Sequence, residues 1–82
     1  MDKETLYRIG AVIVSDCIWP VSAGYSVARE AHRGVVEAGN PTTTKAITEA
    51  ALKGIQYYYP IWDRPLQLQL AEKFTKGYQD EL

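Results

Sequence analysis

Cys17 and His32 are the two side chains that could support nucleophilic catalysis, and each is the only residue of its type in the chain. A cysteine thiolate can act as a nucleophile when a histidine within hydrogen-bonding distance serves as its base. The sequence offers no identifiable third residue to orient the histidine. It also offers no glycine-rich loop to hold an oxyanion or a phosphate. We therefore expect no enzymatic activity and predict no catalytic residue.

The same two residues do not predict a metal site. A zinc site needs three or four protein donors at regular spacing, and one cysteine with one histidine does not supply them. A single cysteine excludes an internal disulfide and is typical of a reducing compartment. We expect no bound metal and no cofactor, and we expect His32 to lie at the surface or in an interface.

Three cationic candidates, Arg29, His32 and Arg33, lie close together in the sequence and could bind an anion. The whole chain carries a net charge of −1, from nine basic and ten acidic residues, so no overall field attracts nucleic acid. A basic patch of three side chains is too small for nucleic-acid binding by itself. Nucleic acid is therefore not expected as a partner. The alternative is an oligomer that combines these cations with aromatic residues 57–62 to bind a nucleotide-like anion.

Four aromatic side chains lie between Tyr57 and Trp62. Consecutive tyrosines on a helix point about 100° apart, so at least one of the three must face outward. Large amphipathic rings often dominate the binding energy of protein interfaces. We predict that Tyr57, Tyr59 and Trp62, together with Trp19, contribute to an interface, with packing in the core as the alternative.

Asp16 is the one charged residue within the most apolar stretch of the chain, Ile9–Ala28. A carboxylate in such a run must be paired, neutralised or exposed to water. One interpretation is that Asp16 is exposed, or caps a broken helix near Pro20. The other is that it is an interface residue, paired with a basic group. The candidate basic groups are Arg8, Arg29 and Arg33.

As one continuous helix, the stretch Ile9–Ala28 would span about 30 Å, roughly the hydrocarbon thickness of a bilayer. Asp16 near its middle would cost about 2.5–3.5 kcal/mol to insert, and Pro20 would interrupt the helix. The mixed charges of Met1–Arg8 are not typical of a secretory signal. We therefore predict a soluble, cytoplasmic protein, with a membrane-associated subunit that uses residues 9–28 as the minor alternative.

The N-terminal candidates are expected to lie on a helix capped by Asp2. Apolar residues follow at helical spacing, and they are Leu6, Ile9, Ile13 and Cys17. The β-branched run Val12–Val14 instead favours a strand, so a short strand over Ala11–Ile18 is the alternative. Pro20 is expected to kink or end the helix near Trp19.

Three more helices are predicted downstream. Ser22 or Ser26 could cap the second helix, and Gly39 could end it. Asn40 and Pro41 are expected to cap and begin the third. The second helix should turn Val27, Ala28, Ala31, Val35 and Val36 inward and Arg29, Glu30, Arg33 and Glu37 outward. The third should bury Ile47, Ala50, Ala51, Ile55 and Tyr58.

The fourth helix should begin at Asp63-Arg64-Pro65. Leu66, Leu70, Phe74 and Tyr78 would form its apolar stripe.

The prediction is one all-α domain over residues 1–82, with three or four helices and a kink or break near Pro20. A short strand followed by three helices is the alternative. A chain of this size builds only a small core, and its apolar and aromatic content exceeds what that core can bury. We therefore expect a non-enzymatic protein that binds other proteins. It would be a subunit of a homo-oligomer or larger structure, or a small adaptor or inhibitor.

Overall fold

The protein folds into four α-helices with no strand, in a computed structural model that describes residues 1–82. The helices are α1 (Lys3–Ile13), α2 (Val21–Glu37), α3 (Thr44–Tyr58) and α4 (Arg64–Asp80). The all-α prediction is confirmed, and the alternative N-terminal strand is wrong. Residues Val12 and Ile13 complete α1 because burying its apolar stripe against two other helices outweighs their modest helix propensity.

The core forms where the apolar stripes of all four helices meet. Helix α1 packs on α2 and α4, and α3 packs on the other sides of the same two helices. The largest fully buried side chains are Phe74, Ile9, Ile13, Ile47, Ile55, Leu70, Val27 and Val35. These residues follow the helical spacing in the sequence, which explains why the predicted core is largely correct.

Helix α1 ends at Ile13, earlier than its predicted extension through Cys17. After Ile13 the chain bends, and α2 begins directly after Pro20, which is its N-cap residue in extended conformation. Neither Ser22 nor Ser26 caps α2, so that prediction is wrong. A proline in this place costs nothing, because the N–H that it lacks would have no partner within the helix.

The α2–α3 corner, defined as Ala38–Thr43, is closed by backbone geometry. Gly39 has a φ of 84°, and its N–H donates to Val36 O at 3.0 Å. The predicted end of α2 at this glycine is confirmed. The predicted cap Asn40 is wrong, because Asn40 has a φ of 56° and α3 is capped instead by the Thr43 hydroxyl, which accepts from the Ala46 N–H at 3.2 Å.

Helix α4 begins after Asp63, as predicted, although the Asp63 side chain makes no capping hydrogen bond. Its apolar stripe is confirmed. Leu70, Phe74 and Tyr78 are buried, and Leu66 packs against them from a partly exposed position.

Two glycine pairs set the distance between neighbouring helices. Gly10 of α1 meets Gly24 of α2, where an added Cβ on Gly24 would lie 2.7 Å from the Gly10 carbonyl carbon. Gly34 of α2 meets Gly54 of α3, where an added Cβ on Gly34 would lie 2.9 Å from the Gly54 nitrogen. Both distances are too short for a real side chain, so the backbones touch only because these residues are glycine.

Candidate functional site

The α1–α2 loop and the α3–α4 loop meet at one side of the molecule. The Trp19 and Trp62 rings lie 5.6 Å apart between centroids. Tyr59 stacks on Trp62 at 4.1 Å with an interplanar angle of 3°. Three of the predicted interface residues are therefore brought together, and all three are partly buried against the core.

Each of these loops contains an Ile-Trp pair, and the two residues of each pair have opposite environments. Ile18 and Ile61 are 101% and 92% exposed, whereas the adjacent Trp19 and Trp62 fold back onto the bundle. We refer to these four residues as the Ile-Trp surface. The sequence analysis did not single out the isoleucines. Their only signal in the sequence is that each is adjacent to a tryptophan and within two residues of a proline, in a predicted break between helices.

An open groove of about 390 Å³ lies beside the Ile-Trp surface. Its hydroxyl-bearing lining residues are Ser26 and Tyr59, and the other lining residues are Trp19, Pro20, Ala23, Val27 and Trp62. We call this the apolar groove. It contains no ionisable side chain apart from the Tyr59 phenol, whose pKa is raised chiefly because burial disfavours the charged form. The groove therefore suits an apolar side chain better than a charged one.

Asp16 lies in the same α1–α2 loop and is well exposed. Its Oδ2 accepts from Lys73 Nζ of α4 at 3.1 Å. The predicted arginine partners are wrong: Arg8 pairs with Glu4 and Glu81, and both Arg29 and Arg33 lie nearest to Glu30. An exposed pair of this kind contributes at most about 1 kcal/mol to stability.

Glu30 is buried, 3% exposed, although the sequence pattern predicted that it faces outward. Its Oε1 accepts from Arg29 Nε at 3.0 Å, and its Oε2 lies 3.9 Å from Arg33 Nε without forming a hydrogen bond. The Arg29 pKa is raised because Glu30 accepts this hydrogen bond. Two guanidinium groups therefore compensate one buried carboxylate, as a buried charge requires.

A second open groove, of about 440 Å³, follows the contact between α2 and α3. Arg33 lies on its α2 side, and Lys53, Tyr57 and Tyr58 lie on its α3 side. Tyr57 is 78% exposed, and Tyr58, predicted to point inward, is 40% exposed. We call this the α2–α3 groove. Tyr57 lines this groove, whereas Tyr59 and Trp62 line the apolar groove, so the predicted aromatic cluster divides between two sites.

The three predicted anion-binding residues do not converge on one site. Arg33 lines the α2–α3 groove, Arg29 pairs with Glu30, and the half-buried His32 ring lies 6.2 Å from the Tyr78 ring. Burial lowers the His32 pKa. No hydrogen bond joins His32 to Cys17, and no cluster of three or more histidine, cysteine or acidic side chains could hold a metal ion.

The stretch proposed as a membrane alternative, residues 9–28, does not form one helix. It is divided among the end of α1, the loop and the start of α2. None of the four helices combines the length and apolar character needed to cross a bilayer.

Comparison with known protein families, curated proteins and solved structures found no match to this chain. No function is carried over by similarity, and the two grooves and the Ile-Trp surface are the features from which a function must be argued.

Proposed function

We propose that this protein is a non-enzymatic assembly subunit that binds a second copy of itself through the Ile-Trp surface. The observation that carries the proposal is the near-complete exposure of Ile18 and Ile61 beside the paired Trp19 and Trp62 rings. We place this function in the cytoplasm, because the single cysteine is typical of a reducing compartment.

Burial of the isoleucines provides a driving force of the right size. Transferring one isoleucine side chain out of water contributes about 1.5–3 kcal/mol, so the four isoleucines of a symmetric dimer contribute about 6–12 kcal/mol. Association costs about 4–15 kcal/mol in lost freedom. The isoleucines alone therefore roughly balance this cost. The additional burial of Trp19 and Trp62 is what would make the complex stable.

The shape of this surface supports a second copy as the partner. Projecting isoleucines and the apolar groove lie side by side on one chain, and a twofold axis could place the isoleucines of each copy in the groove of the other. Closed dimers use such self-complementary surfaces. No basic residue lines the apolar groove, so nothing in it favours an acidic peptide or an anionic lipid.

The decisive experiment is sedimentation over a wide range of protein concentration. The wild type should change from monomer to dimer as concentration rises. The double variant Ile18→Asp with Ile61→Asp should remain monomeric at every concentration, because four carboxylates would otherwise be buried without partners. Circular dichroism of the variant should match the wild type, since both side chains are exposed and outside the helices.

The matched control is Val36→Asp with Leu82→Asp. These residues are 49% and 81% exposed, and the double change alters the net charge by the same amount. Val36 lies about 24 Å along α2 from Pro20, well away from the Ile-Trp surface. The control should dimerise like the wild type. A wild type that stays monomeric throughout, or a control that dissociates equally, would overturn the proposal and leave a different protein as the partner.

A further inference from the structure

We propose that the α2–α3 groove is a binding site for a small nucleoside phosphate. This site differs from the Ile-Trp surface in position and chemistry, so it does not depend on self-association. Its volume of about 440 Å³ lies within the range of about 300–1,000 Å³ that is usual for small-molecule sites. The groove lies wholly within one chain.

The floor of the groove consists of backbone. Gly34 and Gly54 both line it, and their lack of side chains lets α2 and α3 touch while leaving space above the contact. Side chains one turn apart then form the walls: Arg33 and Glu37 on α2, and Lys53 and Tyr57 on α3. A ligand in the groove would meet peptide groups below and long side chains on both sides.

Arg33 is held in place before any ligand arrives. Its Nη1 donates to the Tyr58 hydroxyl at 2.6 Å, and its Nε faces the buried Glu30 at 3.9 Å. The hydrogen bond to Tyr58 uses one of the five N–H donors of the guanidinium group, and the longer contact with Glu30 uses none. The donors that remain can bind a phosphate oxygen without a large loss of side-chain freedom.

Lys53 supplies the second cation. It is exposed and forms no ion pair or hydrogen bond, unlike Arg8, Arg29 and Lys73, all of which have acidic partners. Arg33 on α2 and Lys53 on α3 both line the groove, with Glu37 as its one acidic side chain. The excess of positive charge favours an anion. The Glu37 carboxylate can accept from the hydroxyl or amino groups of the same ligand.

Tyr57 gives the site its preference for an aromatic ligand. It is 78% exposed and is held edge-on against Tyr58 with 5.0 Å between ring centroids. A base can stack on such an exposed ring, and stacking tolerates any base because each has a flat π-face. A cation pair for phosphate beside a ring for a base matches a nucleoside phosphate better than an inorganic anion.

The test is calorimetric titration of the full chain with adenosine 5′-monophosphate, adenosine and inorganic phosphate as separate probes. The monophosphate should bind at least about tenfold more tightly than either adenosine or inorganic phosphate, because only it uses both the cations and Tyr57. Equal affinity for the monophosphate and inorganic phosphate would overturn the proposal. So would the absence of any binding.

Lys53→Met and Lys45→Met form a matched pair of variants, since both lysines are exposed on α3 and only Lys53 lines the groove. Lys53→Met should weaken monophosphate binding by at least about tenfold, and Lys45→Met should not change it. Tyr57→Ala should weaken binding by about tenfold, whereas Tyr57→Phe should retain it. Equal effects of the two lysine variants would contradict the assignment. The Ile-Trp surface is untouched by all four changes, so the two proposals can fail separately.

Discussion

The α2–α3 corner and the two loops of the Ile-Trp surface all join consecutive helices, but they expose different kinds of side chain to water. The corner uses the positive φ angles of Gly39 and Asn40 and the Thr43 cap, and it exposes no large apolar side chain. The loops of the Ile-Trp surface place Ile18 and Ile61 almost fully in water. The corner shows that this fold can connect helices with polar residues. The exposed isoleucines are therefore not a requirement of chain reversal.

The largest expected effect comes from a substitution in the hydrophobic core. Both the α2–α3 corner and the Ile-Trp surface depend on this core, so both would unfold with it. Phe74 is fully buried and stacks on Tyr78 with 5.4 Å between centroids. Phe74→Ala should lower the free energy of unfolding by about 3–5 kcal/mol, measured by urea denaturation. Leu68→Ala is the control, since Leu68 is 40% exposed and should change stability little. A silent Phe74→Ala would contradict the described packing of α4.

Two glycine substitutions distinguish the contribution of helix packing to stability from the contribution of turn geometry. Gly24→Ala places a Cβ against the Gly10 carbonyl and should cost about 1–3 kcal/mol or more, because backbone on both helices must move. Gly39→Ala meets no atom within 4 Å and should cost only about 1 kcal/mol, the strain of a φ of 84°. Urea denaturation of both variants measures the difference. The reverse order would mean that the α2–α3 corner, and not the α1–α2 contact, limits stability.

The cap of α3 allows a smaller and sharper test within the corner. Thr43→Ala should lower the free energy of unfolding by about 1 kcal/mol, because the Ala46 N–H loses its acceptor. Asn40→Gly should leave stability unchanged or raise it slightly, since glycine adopts a φ of 56° without strain. Thermal melts of the two variants measure this. If Asn40→Gly were the more harmful change, Asn40 would be the cap after all.

The smallest expected effect is a pH dependence from His32. Burial, with a smaller contribution from the N-terminal ammonium, lowers its pKa below the ordinary 6.5. The unfolded state therefore binds more protons than the folded state below that value. The free energy of unfolding therefore falls as the pH drops from 6.5 toward the lowered pKa of His32. Above pH 6.5, His32 causes no such loss of stability.

His32→Gln should remove this step from denaturation curves measured between neutral pH and pH 5. The pKa of Asp2 is lowered from 3.8 because its carboxylate accepts from Thr5, so the loss of that cap belongs to a separate, more acidic range. A wild type whose stability rose on acidification through pH 6 would contradict the burial of His32.

The sequence predicted most of the fold because helix periodicity and turn chemistry are local. The spacing of Ile9 and Ile13, of Ile47 and Ile55, and of Leu70 and Phe74 is enough to place the apolar stripes, and Gly39 marks the end of α2. Periodicity is less informative at helix ends. There the exact positions depend on which residue finds a partner, and Thr43, not Asn40, finds one.

The candidate sites could be predicted only in part. Trp19, Tyr59 and Trp62 are predicted interface residues because of their large aromatic rings, and the structure brings these rings together. Nothing in the local sequence indicated that Glu30 would be buried, or that Lys53 and Arg33 would line one groove. These relations join residues on different helices, or depend on how closely two helices approach.

The sequence by itself determined the helical class, the apolar stripes and the surplus of apolar and aromatic residues. Only the tertiary structure decided where that surplus lies. The glycine pairs Gly10–Gly24 and Gly34–Gly54 bring the helices into backbone contact, and this contact fixes which neighbouring side chains are covered. The meeting of the two loops covers Trp19 and Trp62 and leaves Ile18 and Ile61 in water, because each loop can turn only one side chain of its Ile-Trp pair toward the core.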